Sequence, residues 1–522
     1  MGEDKEILKI QDNKKQLLKK IIDKSIYFLE FILSVIFMIY YYKLITVKAY
    51  NGYYSKIYLT ICGIIGIGIF AIIVYTFIKN KTKIEKIFLA IAIPIGMAYL
   101  IFLVPTYAPD ENAHIYRSYD ISYGNIISKV DENGYVKTDI PSVFINNNHH
   151  TLKKYSELNK SINEKTDYND IEEINNPAAS YFFTLYFPNT LMFLLGRMFD
   201  INGLIVIYLA RIVNFIIFLI CGYYSIKIIP FGKILMMTYL LIPMSIHQAI
   251  SLSADSLTNS VAILFIAYTL YLYFKENIIK KHKIIYAILA ILTAVQKTAY
   301  LPLIFISLMF ISKKNMDKKD KTKIILITIL IAILIALAWV VLKSGGSNEP
   351  DDYLIQNNVN SVEQIKYILR NPIRYIKVLY DTLTSNIENY YLWFMGFSMG
   401  WMDIGVSRVF LDLFFILLIF SPFVEKNHNK ELNWKDKLLF LMIFMIVFVL
   451  TLTAMYIGHT GVGDHVIKGV QGRYFIPVAI LLLLCLCGEE RYIRIKHIQY
   501  IYPVLITLLN IKVVDCIITF FI

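Results

Sequence analysis

The sequence predicts an all-α protein, a polytopic bundle of transmembrane helices with large loops on one side of the bilayer. Three observations predict it. Hydrophobic residues make up 57% of the chain, and apolar runs of about twenty residues, the length a helix needs to cross a bilayer, recur along it. A soluble chain of this size would divide into two to four domains with shorter apolar stretches. The net charge of +13 sits in short lysine clusters between the runs. That is the pattern of cytoplasmic loops facing anionic lipid, and no nucleic-acid partner is expected from it.

Residues 1–25 form a basic head with Lys14, Lys15, Lys19 and Lys20, expected on the cytoplasmic side. The run 26–47 follows this long head and has no small-residue cleavage site, so it reads as a retained anchor. The runs 57–78 and 86–105 come next, joined by lysines at 79–86 that also belong inside. Three crossings then bring residue 106 to the outer face, where the chain stays polar to about 176.

The stretch 180–199 presents a choice. If it crosses, the lysine clusters at 275–283 and 313–323 fall outside, against the positive-inside rule. Pro188 in its middle also favours a broken, surface-lying or re-entrant element. It is therefore expected not to cross. Runs near 204–226, 232–250, 257–274, 283–296, 299–312, 322–342, 406–424, 436–457, 474–488 and 498–520 complete about 13 crossings. The N-terminus is then cytoplasmic and the C-terminus outside. Two large outer loops result, 106–203 and 343–405. The second opens with Ser344-Gly345-Gly346-Ser347 and ends in Tyr390-Tyr391-Leu392-Trp393-Phe394, an aromatic density suited to a membrane interface. The five cysteines all lie in apolar runs, with no CxxC pattern, and read as small core residues.

Polar residues of an unusual kind converge on the outer surface in this topology. Pro109-Asp110-Glu111-Asn112-Ala113-His114 sits where the third run ends. Proline and acids suit a helix start, and on a helix from Asp110 the side chains of Asp110, His114 and Arg117 share a face. Asp255 lies in the turn before the 257–274 run. Gln296 and Lys297 stand at the tip between two short runs, and Gln471, Arg473 and Tyr474 begin a late one. A lysine at the outer end of apolar helices is costly without an anionic partner, so Lys297 is expected to meet a phosphate or one of the carboxylates. The alternative for Asp110, Glu111 and Asp255 is simple helix capping. No P-loop, dinucleotide glycine pattern, HExxH or GxSxG occurs, so nucleotide hydrolysis and serine-hydrolase chemistry lack support.

Three segments carry a family resemblance: Pro109-Asp110-Glu111-Asn112-Ala113-His114-Ile115-Tyr116-Arg117, Ser253-Ala254-Asp255-Ser256-Leu257-Thr258-Asn259 and Gln471-Gly472-Arg473-Tyr474-Phe475-Ile476-Pro477. In this order they resemble the bacterial membrane-protein family DUF2142. That family is similar to the GT-C superfamily of lipid-linked-sugar glycosyltransferases. The resemblance covers residues 86–522 as a GT-C-like domain, and residues 26–85 then read as an extra transmembrane hairpin. It implies a multi-pass protein of the bacterial cell membrane that moves a sugar from a polyprenyl-phosphate donor to a cell-envelope glycan, lipid or protein acceptor. A transporter or flippase of lipid-linked glycans is the alternative. Such a protein should carry polar residues near mid-membrane and paired repeats, whereas here the polar residues gather at one surface.

The implied chemistry is direct displacement at the anomeric carbon with inversion. A carboxylate takes the proton of the acceptor hydroxyl, help typically worth roughly 10² to 10⁴ in rate. Arg117 on the face of Asp110 would make that acid the weaker base, so Glu111 is expected to act, with Asp110 orienting. His114, Arg117, Asp255, Gln296, Lys297, Gln471, Arg473 and Tyr474 are expected to bind substrate. Lys297 and Arg473 are suited to hold the leaving phosphate. A divalent ion, Mg or Mn, on Asp110, Glu111 or Asp255 is one option for the same task, and a metal-independent reaction is the other.

Overall fold

Every apolar run of the sequence coincides with a helix in the computed structural model. The described residues are 2–80, 83–313, 316–342, 346–347, 349–350, 352–425, 430–488 and 492–522. Ser344 and Gly345 of the expected turn, residues 426–429 and the side chains of the basic head lie outside them.

One 50-residue helix, Gly2–Asn51, carries the basic head and the first apolar run without a break. The chain reverses through Gly52, whose φ of +77° a residue with a Cβ rarely adopts. It enters Lys56–Lys79, capped by Ser55, whose hydroxyl accepts from the Tyr58 N–H. The hairpin packs on Ile84–Phe102 but leaves most of its surface outward, with Ile57, Ile64, Ile67 and Phe70 all exposed. Such a surface suits lipid rather than water.

The centre of the molecule is formed by Ile84–Phe102, Gly203–Ile228 and Ala254–Phe274, the most buried of the long apolar helices. They approach closely: a Cβ on Gly96 would stand 2.0 Å from the Phe215 ring. Small residues at such crossings are how membrane helices gain packing where no hydrophobic drive exists.

Helix length among the described residues does not confirm the expected count of about 13 crossings. Among the described residues seven helices are long and apolar enough to span. An eighth is the pair Lys233–Leu240 and Pro243–Ile250, if the pair, bent by 61° at its break, is one crossing. Lys280–Ala294 and Arg408–Phe420 have 15 and 13 residues, giving about 23 and 20 Å at an α-helical rise. Thr298–Ser312 is instead a 15-residue 3₁₀ helix, which at about 2.0 Å per residue extends roughly 30 Å. The 180–199 stretch is broken as expected. Two 3₁₀ turns precede the 12-residue helix Phe187–Met198, which is too short to span.

Both large loops hold structure that hydropathy does not report. In the first, Lys129–Val130, Val136–Pro141 and Ile171–Asn175 form an antiparallel sheet, with Thr138 opposite Ile174. This is a small β addition to the all-α expectation. In the second, Ser361–Arg370 and Pro372–Met395 are helices, and Ser398–Met399 pairs with Ile404–Gly405.

Candidate functional site

The end of Ile84–Phe102 and the starts of Gly203–Ile228 and Ala254–Phe274 meet at one end of the bundle, and the acidic motif lies among them. Two residues after that first helix bend the backbone sharply. Thr106 (φ 71°) and Asp110 (φ 61°) are both left-handed, a conformation uncommon without glycine. The Trp401 indole N–H donates to the Thr106 carbonyl at 3.0 Å, which holds this turn in place.

The turn sends the two carboxylates in opposite directions. Glu111 opens the helix Glu111–Ser122 and is wholly buried. Arg211 grips it with two bonds, Nε to Oε1 at 2.9 Å and Nη2 to Oε2 at 2.5 Å. The Leu252 N–H adds a bond to Oε1 at 2.8 Å and the Ala108 N–H one to Oε2 at 3.4 Å. Arg211 also donates to the carbonyls of Leu103 and Val104 at 2.7 and 3.2 Å. Both oxygens of Glu111 are therefore engaged, and none faces solvent. Glu111 is expected to act because Arg117 would weaken Asp110, but in the structure Glu111 has a cation of its own: Arg211, from a helix a hundred residues away, holds both its oxygens.

Asp110 is the open carboxylate. It is the N-cap residue of that helix but makes no capping bond, and its side chain is 58% exposed. Its partner is the buried Arg473, whose Nη2 lies 3.3 Å from Oδ2. Arg473 also reaches Gln471 through Nε at 2.6 Å and faces Asp255 at 3.9 Å. Asp255 sits in the first turn of Ala254–Phe274 and holds Lys297 Nζ at 2.5 Å. The anionic partner expected for Lys297 is thus a carboxylate of the chain itself. Burial disfavours the charged amine, but the Asp255 carboxylate outweighs it and holds Lys297 well above the usual lysine range. The rings of Tyr181 and Tyr474 flank Nζ at 5.2 and 5.7 Å, at a distance where a π face attracts a cation. Asp110, Arg473, Asp255 and Lys297 form one alternating chain of charge.

The glycine before Arg473 is required by contact. A Cβ on Gly472 would stand 2.0 Å from the Tyr390 carbonyl oxygen. The helix Pro372–Met395 thereby presses directly on the Gln471–Tyr474 turn and sets where the guanidinium points.

The other expected binding residues divide. His114 is buried beside this chain of charge, with Nδ1 2.7 Å from the Tyr186 hydroxyl. Burial, aided by Lys297, pulls it down to about 4, so the ring is neutral at pH 7. Gln296 accepts from the Thr258 hydroxyl at 2.6 Å and donates to the Leu292 carbonyl at 2.7 Å. Arg117 does not join Asp110. It turns the other way, to Asp120 at 3.2 Å, Ser128 at 3.0 Å and the Ile126 carbonyl at 2.6 Å, and so ties the first loop to the helix. The shared face expected for Asp110, His114 and Arg117 fails because Asp110 stands outside the helix, in the left-handed turn.

Arg211 is the residue that the sequence reading passed over. The signal was there: it is an arginine within an otherwise apolar run, and such a residue normally marks a site or a buried partner. Gln248 and Trp393 line a narrow cleft below Arg473 together with His247 and Gln471. The Gln248 side-chain oxygen Oε1 is buried there without a hydrogen-bond partner. Among the described residues, no group of three or more His, Cys, Asp or Glu side chains is placed to hold a metal ion. The two acids that meet here, Asp110 and Asp255, already bracket a guanidinium, so the donor set does not fit a divalent cation.

A family model described as a predicted membrane protein, DUF2142, matches residues 93–482. Comparison with curated proteins and with solved structures gave no match.

Proposed function

The chain belongs to the DUF2142 family of predicted membrane proteins, and on that premise we propose that it is an integral-membrane, inverting glycosyltransferase. It would take a sugar from a polyprenyl-phosphate donor and pass it to a cell-envelope acceptor at the loop end of the bundle. The observation that carries this reading is an exposed carboxylate, Asp110, held 3.3 Å from a buried guanidinium, Arg473. Base and anion holder are thereby in direct contact at one end of a membrane bundle, where a lipid-tethered phosphate can reach both.

Asp110 is the base in this reading, because Glu111 has no free oxygen. Asp110 takes the proton of the acceptor hydroxyl, whose oxygen attacks the anomeric carbon. The bond from that carbon to the phosphate oxygen breaks, and the phosphate leaves with the electron pair. Arg473 and Lys297 receive the growing charge, which is worth most where water is excluded. Asp255 holds both cations in place beforehand. Gln471 fixes the plane of the guanidinium, and neutral His114 with Tyr186 and Tyr181 walls the site. No step is routed through a metal ion.

The test is sugar transfer by the purified chain in lipid nanodiscs, from a short-chain polyprenyl-phosphate sugar to a cell-envelope glycan. Asp110→Asn should cut turnover by roughly 10² or more, the usual scale for loss of a general base. Transfer that persists at the wild-type rate in Asp110→Asn would refute the assignment.

A further inference from the structure

The helices Ser361–Arg370 and Pro372–Met395 meet in an elbow at Asn371. The inner side of the elbow is firmly attached. Ser361 Oγ donates to the Ile457 carbonyl at 3.0 Å, and Gln364 accepts from the Gly463 N–H at 3.0 Å. The Tyr375 hydroxyl lies 2.5 Å from Thr453 Oγ1, and its ring stacks on Tyr456. These contacts place the elbow on the last turns of Trp434–His459, a helix long and apolar enough to span. The elbow therefore sits beside the end of a candidate span, at the end of the bundle that carries Arg473.

The outer side is built differently. Leu369, Ile373, Ile376 and Tyr380 are 75, 83, 65 and 66% exposed. On Pro372–Met395 the spacing of Ile373, Ile376 and Tyr380 draws one apolar stripe, and Leu369 lies in the last turn of Ser361–Arg370 just before the elbow. Arg374, Lys377 and Asp381 follow the same spacing one position on and draw a charged stripe beside it, and Arg370 stands at the end of the preceding helix. Those four residues and His465 line an open cavity of about 580 Å³. Neighbouring Lys366 and Lys468 are paired with Glu363 and Asp464. Arg370, Arg374 and Lys377 enter no ion pair among the described residues. An apolar stripe alongside a basic one is the design of an element lying in a membrane interface.

We propose that this elbow is a binding site for the phosphate headgroup of an anionic membrane lipid, separate from the Asp110–Arg473 site. The phosphate sits in the cavity among Arg370, Arg374 and Lys377, and the acyl chains lie along Leu369, Ile373 and Ile376. A soluble phosphate would need the three cations but not the exposed isoleucines, and the adjacency of the two stripes favours the lipid. Among the described residues that line the cavity Asp381 is the one acid, and it opposes binding.

Native mass spectrometry of the full-length protein in neutral detergent tests this, with phosphatidylglycerol and phosphatidylcholine offered at equal concentration. The wild type should retain one phosphatidylglycerol in preference to phosphatidylcholine. Each cation replaced, as in Arg370→Gln, Arg374→Gln or Lys377→Gln, should weaken retention roughly fivefold. Asp381→Asn should strengthen it, a gain that misfolding cannot imitate. Equal retention of the two lipids, or no gain in Asp381→Asn, would overturn the proposal. So would glycerol 3-phosphate displacing phosphatidylglycerol at the same concentration as the lipid, since the chains would then contribute nothing.

Discussion

Arg211 and Glu111 form a two-bond ion pair in which neither side chain has any solvent exposure. The pair joins the acidic helix to Gly203–Ile228, and the further bonds to Leu103, Val104, Ala108 and Leu252 draw in the chain on either side. It is the fixed point from which Asp110, one residue earlier, projects to the surface.

Breaking that pair should damage folding before chemistry. Removing one partner of a buried ion pair strands the other charge and typically costs about 3–5 kcal/mol. Glu111→Gln and Arg211→Met are each expected to lower the thermal unfolding midpoint and the yield of monodisperse protein. An unchanged melting temperature with lost transfer activity would return the base role to Glu111.

The contact between Arg473 and Asp110 should appear as coupling. Lysine cannot reproduce the three directed contacts of Arg473 with Asp110, Gln471 and Asp255. Arg473→Lys is expected to lower kcat/KM for the donor while leaving the fold intact. In a double-mutant cycle with Asp110→Asn the losses should be non-additive by about 0.5–3 kcal/mol. Additive losses in transfer assays would separate the two residues.

His114 makes stability depend on pH. Its folded value, near 4 because burial and Lys297 disfavour the charged ring, lies below the ordinary histidine value of about 6.5. Between these values the unfolded chain binds a proton that the folded chain does not, so stability falls as pH drops from about 6.5 to 4. The loss reaches up to about 3 kcal/mol. Melting midpoints measured from pH 7 to 4 should fall less steeply in His114→Gln, and parallel curves for the two proteins would exclude His114 as the source.

Gly472→Ala should distort the site through packing. The added Cβ meets the Tyr390 carbonyl at 2.0 Å and the Phe394 nitrogen at 2.5 Å, both backbone atoms with little freedom to retreat. Overpacking of this kind typically costs 1–3 kcal/mol, occasionally more. A lower melting midpoint is expected, together with weaker donor binding as Arg473 shifts. Wild-type stability would mean that the Gln471–Tyr474 turn and Pro372–Met395 separate easily.

By itself the sequence determined where the apolar helices lie. Length and hydropathy govern that choice locally: a backbone in lipid must satisfy its own hydrogen bonds, and a helix does so within one segment. It also determined that Asp110, Asp255, Lys297 and Arg473 belong to one end of the bundle, since each stands where an apolar run begins or ends. Pro188 marked the broken 180–199 element for the same local reason. Tertiary structure alone decided which carboxylate is free. Asp110 and Glu111 are neighbours, and only the arrival of Arg211 from another helix makes one a strut and leaves the other open. Likewise Lys297 requires an anion by the cost of burying charge, but whether phosphate or Asp255 supplies it depends on how two distant segments meet. The small sheet of the first loop and the roughly 30 Å reach of the 3₁₀ segment were hidden for a related reason. Hydropathy reports how apolar a stretch is; pairing partners and rise per residue come from neighbours that it does not see.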